Sequence, residues 1–310
     1  MLRLAAVDIG SNSSLLLIVE RNDSGQLRVL VDTKASTRLS AGAAAGGVIT
    51  PEALARQIAV LDKFAAIIKD FEVSEVHACG TQVFRSATNG PVLATLIAKQ
   101  YDWTMEIISG AHEAELSYRA AATGLTNVPE RRIVLDVGGG SSEVIFGARD
   151  RIERSKSFAI GAVNLTESCG LDTLLTEAKR ASALEHMADA FTGLDRMGRP
   201  AFNAQVIAVG GTATTLGAMS LNLTEFDPDR VHGTMLSRVW IEEQIAHLGA
   251  ISSLGRSKYM PFDPDRAEII VGGALILHYL LRQFAFEKLT VSNRGLRWGL
   301  ILAALAARIG

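Results

Sequence analysis

Cysteine is nearly absent from this 310-residue chain, with only Cys79 and Cys169 present. Two cysteines do not make a disulfide framework, so the setting reads as reduced and cytoplasmic. Net charge is missing too. Lys and Arg number 31 against 33 Asp and Glu, a formal charge of −2 at pH 7, which excludes a general affinity for nucleic acid. A polyanionic ligand would have to be met by locally placed arginines. Long apolar runs are also lacking: Leu15 to Val19, or Ala274 to Leu281 with its His278, are too short to span a bilayer. The N-terminus runs straight into an apolar strand with no basic n-region or cleavage site, so no targeting segment and no membrane partner is expected. What remains, at 48% hydrophobic residues, is a globular chain long enough for two domains of ordinary size.

The densest chemistry lies in one stretch. Ile133 to Val137 is an apolar strand containing Asp136, Gly138-Gly139-Gly140 with Ser141 and Ser142 is a turn, and Glu143 opens a second strand. Three glycines let backbone N–H groups approach an anion with no Cβ in the way. Asp136 and Glu143 beside a phosphate would repel it unless a divalent cation lay between. The competing reading is a plain Gly-rich hairpin. The chain repeats the pattern, however: Leu4 to Val7 leads to Asp8, then Ile9-Gly10-Ser11-Asn12-Ser13, then a returning apolar strand. Two copies point to a duplication into two lobes, and two anion turns aimed at one cleft would hold a substrate with more than one phosphate. A third anion candidate is Gly210-Gly211-Thr212, where a strand runs into a helix start.

Between these turns the pattern is legible. Leu27 to Val31 completes a meander, and the loop from Thr37 through the Ala/Gly tract after Ser40 reads as flexible, with Arg38 as a solvated charge. Thr50-Pro51-Glu52 is a helix start. Its helix runs to about Asp70 with Leu54, Ile58, Leu61, Ala65 and Ile68 inward. Arg85 opens a helix against the dipole, as does Arg297, which invites an anionic partner for each. Glu113 in a first turn has an ordinary reading as dipole complementarity and a second one as a catalytic carboxylate. His77 and Cys79 read as sheet residues, and Arg149 to Lys156 as a solvated strand pair. Pro129 to Arg132 is the expected hinge, giving lobes 1–128 and 129–296, with helix 297–310 packing back on the first. Of the two similar segments at Asp227-Pro228 and Asp263-Pro264, the second is expected to cap a helix running to about Gln283.

With these motifs assembled, the chain resembles the actin, sugar-kinase and Hsp70 superfamily, and within it the exopolyphosphatase / guanosine pentaphosphate phosphatase (Ppx/GppA) family. The carriers are Asp8-Ile9-Gly10-Ser11-Asn12-Ser13, Gly80-Thr81 with Phe84-Arg85, Ile107-Ile108-Ser109-Gly110 with Glu113-Ala114, Asp136 to Glu143, and Gly295-Leu296-Arg297. The resemblance covers essentially the whole chain. It implies an α/β fold of two ribonuclease-H-like lobes, each with a mixed five-stranded sheet, around an inter-lobe cleft. It implies Glu113 as the base that orients the attacking water and Arg85 on the terminal phosphate. Asp136, Glu143 and Asp8 would hold Mg2+ or Mn2+. Asn12, Ser11, Ser13, Gly138, Gly139, Gly140, Ser141, Gly211, Thr212 and Arg297 would line the substrate.

The implied reaction is removal of terminal phosphates from inorganic polyphosphate, the alternative being 5′-phosphate removal from guanosine pentaphosphate. A superfamily kinase is disfavoured by the Glu113 helix, and a non-catalytic alarmone or polyphosphate sensor by the intact carboxylates. A homodimer is the family expectation. This chain departs from the family pattern at His112, at Trp298 and at Asn293-Arg294, all of which make the C-terminal edge of the site less acidic. It also stops before the helical domains of long members, from which poorer processivity on long polyphosphate is expected.

Overall fold

The computed structural model describes residues 1–40, 47–201 and 203–308. The Ala/Gly tract expected as a flexible loop, residues 41–46, and the last two residues of the expected C-terminal helix lie outside the described residues. The chain divides into two compact units, Met1–Leu116 with Leu296–Gly310, and Ser117–Gly295.

In the first unit, β1 (Leu2–Ile9), β2 (Ser13–Arg21) and β3 (Leu27–Ser36) form an antiparallel meander. After α1 (Pro51–Asp70), β4 (Glu75–Gly80) returns parallel to β1. Then come α2 (Gln82–Ser86), α3 (Gly90–Tyr101), β5 (Thr104–Ile107) and α4 (Gly110–Ala121), within which the chain passes into the second unit. The sheet order is β3-β2-β1-β4-β5. β1 lies at its centre, and its Leu-Ala-Ala-Val run is shielded on both faces; β3 is the half-exposed edge.

The second unit repeats this plan. It has β6 (Arg131–Val137), β7 (Ser142–Ala148), β8 (Arg151–Phe158), α5 (Ala162–Cys169), α6 (Glu177–Ala190), β9 (Gln205–Val209) and α7 (Gly210–Ser220). It continues through α8 (Pro228–Val231), β10 (Met235–Ser237), α9 (Arg238–Gly249), α10 (Ser253–Arg256), α11 (Ile270–Gln283) and β11 (Lys288–Val291). Five strands, β8-β7-β6-β9-β11, reproduce the first sheet's order, and the short β10 adds a sixth beside β11. This is a mixed α/β fold of two ribonuclease-H-like sheets.

Local chemistry explains most boundaries, and two expectations need correction. The Thr50 hydroxyl accepts from the Ala53 N–H at 3.2 Å and Pro51 fills the first helical position, so α1 starts as expected. Its fully buried stripe is Ala53, Gln57, Leu61, Phe64 and Ile68. That is turned slightly from the purely apolar stripe, because Gln57 accepts the buried Ser14 hydroxyl at 2.9 Å. The two Asp-Pro segments behave oppositely to expectation. Asp227 caps α8, accepting from the Asp229 and Arg230 N–H groups at 3.1 Å each. Asp263 makes no cap bond; its carboxylate sits 3.5 Å from Arg266 and near the Thr215 hydroxyl. The segment Pro264–Glu268 is therefore a 3-10 turn, and α11 begins only at Ile270.

The closing helix, α12 (Leu296–Ala306), packs in the first unit on β1 and β2. Gly299 lets it approach α4, since a Cβ there would lie 2.4 Å from the Leu116 carbonyl oxygen. Gly299→Ala should lower the thermal midpoint, with a loss of roughly 1–3 kcal/mol from forced backbone displacement. Gly295→Ala, where the nearest heavy atom stands at 3.6 Å, should stay within about 0.5 kcal/mol of wild type in the same calorimetric comparison.

Candidate active site

The two glycine turns share one hydrogen-bond plan. The Gly10 N–H donates to the Ser13 carbonyl at 3.1 Å, and the Gly138 N–H to the Ser141 carbonyl at 3.0 Å. In the second turn the carbonyls of Gly138 and Gly139 accept from the Ala162 and Val163 N–H groups at 2.9 and 2.8 Å, and the Gly140 carbonyl accepts from the Asn164 amide at 3.0 Å. A trans peptide points its C=O and the following N–H in opposite directions. Anchoring those three carbonyls on α5 thus turns the N–H groups of Gly139, Gly140 and Ser141 the other way, as an anion nest. The first turn does the same: the Ser11 carbonyl accepts from Ser40, and the Asn12 carbonyl from Thr37 and Arg38. That orients the Asn12 and Ser13 amides oppositely, with the Asn12 side-chain amide on the Ser13 hydroxyl at 3.2 Å.

The turns differ in what stands across the sheet. Asp8 pairs in register with Leu15, whereas Asp136 pairs with Glu143. Opposed residues of an antiparallel pair project from the same face, so two carboxylates are neighbours in the second turn alone. Asp136 is 9% exposed and Glu143 1%. A serine hydroxyl donates to each, Ser117 to Asp136 Oδ2 at 2.6 Å and Ser157 to Glu143 Oε1 at 2.7 Å. Burial pushes the Asp136 carboxyl above the usual aspartate range, and the Ser117 hydrogen bond opposes this.

Two adjacent buried carboxylates are a hard-oxygen donor set, and their mutual repulsion falls when a cation joins them. Among the described residues no group of three or more His, Cys, Asp or Glu side chains comes together. Any further ligands would be water or substrate oxygens, which hard divalent cations accept. The residues thus fit a divalent cation.

In the first unit, Arg85 and Glu113 meet. The Arg85 guanidinium donates through Nη1 to Glu113 Oε2 at 2.9 Å and to the Ile108 carbonyl at 2.7 Å, and through Nη2 to Gln82 at 3.0 Å. Placement comes from Gly80, where any Cβ would strike the buried Phe84 ring at 2.7 Å. Glu113 lies in the first turn of α4 and is 8% exposed. Such a pair fixes the carboxylate's direction and leaves guanidinium N–H groups for another acceptor, since the side chain carries five donors. Cys79, read as a sheet residue, is fully buried, and burial raises its thiol pKa well above the usual range.

Three other expected residues are held by local partners. Gly211 opens α7, but the space a Cβ would take is filled by Arg266, whose Nη2 stands 1.8 Å from that point. Thr212 turns its side chain onto Gly273 of α11, so its hydroxyl is enclosed by packing. Arg297 donates to Asp32 and to the Leu16 carbonyl, tying α12 to β2 and β3. Arg266 was missed in the sequence. It is a buried guanidinium, 8% exposed, lying over the Gly210-Gly211 helix start. Burial lowers its pKa while Asp263 opposes this. Its Asp-Pro-Asp-Arg setting is identical to that of Arg230, which gives no local signal for the difference.

At the C-terminal edge, the Asn293 N–H donates to His232 Nδ1 at 3.4 Å, and the Asn293 side-chain amide donates to the Pro228 carbonyl at 3.0 Å. Arg294 covers Gly124. Burial, then the Arg294 charge, lowers the His232 pKa against smaller opposing effects of Thr123 and Asp229. Trp298 is buried in α12.

A family model described as the Ppx/GppA phosphatase family matches residues 18–307. Exopolyphosphatase 2 of Mycobacterium tuberculosis is 29% identical over 313 residues, spanning 97% of this chain and 98% of that protein. The guanosine-5'-triphosphate,3'-diphosphate pyrophosphatase of Vibrio campbellii is 26% identical over 96% of this chain and 58% of its own length. A solved exopolyphosphatase structure from Cytophaga hutchinsonii matches with a TM-score of 0.88 and 26% identity, over 98% of each chain.

The His232 geometry has a pH consequence. Its folded pKa lies below the unfolded value, so its contribution to stability is complete above the ordinary histidine range and declines as pH falls through it. His278, lowered chiefly by burial, acts in the same direction. Thermal midpoints measured in EDTA between pH 7.5 and 5.5 should fall less steeply in His232→Asn, which keeps an acceptor toward Asn293. An unchanged slope would remove His232 from the account.

Proposed function

The chain belongs to the Ppx/GppA phosphatase family, and on that footing we propose that it is an exopolyphosphatase, a phosphoric anhydride hydrolase releasing terminal phosphates from inorganic polyphosphate. The observation that carries the reading is the second turn, where a row of outward amides coincides with two adjacent buried carboxylates. Amides alone would suit any anion. Amides beside a carboxylate pair suit an anion accompanied by a divalent cation.

Phosphatases of this family are generally divalent-metal dependent. Asp136 and Glu143 would hold the cation, with Mg2+ the proposed ion, while Asp8 occupies the matching position of the first turn. When bound, the cation supplies neutralisation of phosphate charge and polarisation of the P–O bond. The amides of Gly139, Gly140 and Ser141 bind phosphate oxygens, as do Asn12 and Ser13 at their turn, and Ser11 lies beside them. Glu113, aimed by Arg85, orients a water for in-line attack and takes its proton as the new P–O bond forms. The anhydride P–O bond breaks, and the shortened polyphosphate leaves with the bridging oxygen. Arg85 offers its remaining N–H groups to the terminal phosphate, where charge accumulates. Arg266, buried over the α7 start, is a further candidate for the substrate side of that helix.

The same groups can cleave the 5′-terminal phosphate of guanosine pentaphosphate, a reading with which the Vibrio relative is consistent. Phosphate release from medium-length polyphosphate and from guanosine pentaphosphate, with Mg2+ or EDTA, distinguishes them. Glu113→Gln should lower the metal-dependent release by at least about a hundredfold. Full release by that variant would reject Glu113 as the base. A phosphorylated product formed only in the presence of ATP and an acceptor would make the protein a kinase, and tight binding without release a sensor.

A further inference from the structure

We propose that Ser117 and Ser157 are a matched pair of positioning residues that aim Asp136 and Glu143 and thereby set the protein's affinity for a divalent cation. The inference rests on reading those two carboxylates as the cation ligands. Each serine donates one short hydrogen bond to one oxygen of one carboxylate, at 2.6 Å for Ser117 to Asp136 Oδ2 and 2.7 Å for Ser157 to Glu143 Oε1.

Neither serine is explained by its own element. Ser117 is fully buried on α4 beside Leu116, Tyr118, Ala120 and Ala121, all buried apolar or aromatic residues. Serine is a weaker helix former than alanine, and inside helices its hydroxyl commonly turns back to the carbonyl four residues earlier. Here it reaches out of the helix to a carboxylate on β6 instead. Ser157 approaches from the other side of the sheet plan, on edge strand β8, where it stands in register with Glu143. The two bonds therefore come from two elements onto two ligands that are themselves in register.

A donated hydroxyl fixes the plane of a carboxylate and occupies one oxygen, which directs the lone pairs of the other. On Asp136 that other oxygen is Oδ1, which faces Gly210, where a Cβ would come within 3.0 Å of it. The first turn lacks the carboxylate pair. Its Asp8 stands opposite Leu15, and the neighbouring Ser14 hydroxyl serves Gln57. Serine pair and carboxylate pair occur together in the second turn. Groups that orient metal ligands from outside the coordination sphere commonly contribute 10–100-fold to metal affinity.

A purely structural role, satisfying buried carboxylates, is the competing account. Titration of the intact protein with Mn2+, followed by the free-ion electron paramagnetic resonance signal, separates the two. Ser117→Ala and Ser157→Ala should each raise the Mn2+ dissociation constant roughly tenfold. Ser157→Thr should restore it, because the hydroxyl is retained and a strand accommodates β-branching. Midpoints in EDTA serve as the fold control, and should Ser117→Ala not fold, the two Ser157 variants carry the test. Dissociation constants within twofold of wild type in the alanine variants, with lowered midpoints alone, would overturn the proposal. Weakened binding in Ser157→Thr equal to that in Ser157→Ala would overturn it too. Wild-type protein that binds Mn2+ without releasing phosphate would reject the hydrolase reading and leave this inference standing. Wild-type protein that binds no Mn2+ would reject the cation site and the serine pair together.

Discussion

Asp136 and Glu143 face one another on neighbouring strands with almost no access to water. Placing two carboxylates side by side in a low-dielectric setting is unfavourable unless each is hydrogen-bonded and their charges are compensated. Much of the second unit can be understood as answering that constraint. Serine hydroxyls arrive from α4 and β8, the glycine turn presents amides, and Gly210 leaves room beside the aspartate. On the proposed function, a divalent cation with its phosphate would complete the compensation.

The repeated sheet order explains how such a site can be placed so definitely. In both units the first strand is central, with an antiparallel partner on one side and a parallel one on the other. The turn after that strand is anchored through its carbonyls, so its amides are directed by bonds made behind them. The two units share the turn and differ in the side chains around it. Leucine stands in the first where glutamate stands in the second, and only the second has the paired charge. The first unit contributes different chemistry, the Arg85–Glu113 pair at the head of α4.

Large parts of this were legible beforehand. The meander, the helix from Pro51, the glycine turns and the meeting place of Asp136 and Glu143 follow from alternation, cap chemistry and short spacing. Arg85 was expected at a helix start, against the dipole, but α2 ends at Ser86 and places Arg85 in its last turn, where the dipole favours a cation; its partner is Glu113, a carboxylate of this chain. Arg297 does lie at a helix start, and there Asp32 takes its charge. The dipole argument depends on knowing where a helix begins and ends, and where it applies it identifies a cation that needs a partner without saying whether that partner is ligand or protein.

The sequence by itself determined the elements whose causes lie within about ten residues: strand alternation, the Thr50-Pro51 start, and both Asp-x-Gly turns with their carboxylates. Tertiary structure decided which of two identical Asp-Pro-Asp-Arg segments caps a helix, and which buries its arginine over Gly211. It also decided that Gln57 turns inward to Ser14, that Thr212 is enclosed against Gly273, and that Ser117 leaves its helix for Asp136. The division has one physical reason. Backbone conformation responds to neighbours along the chain, whereas the partner of a buried polar side chain is whichever group the fold brings within 3 Å, however distant in sequence.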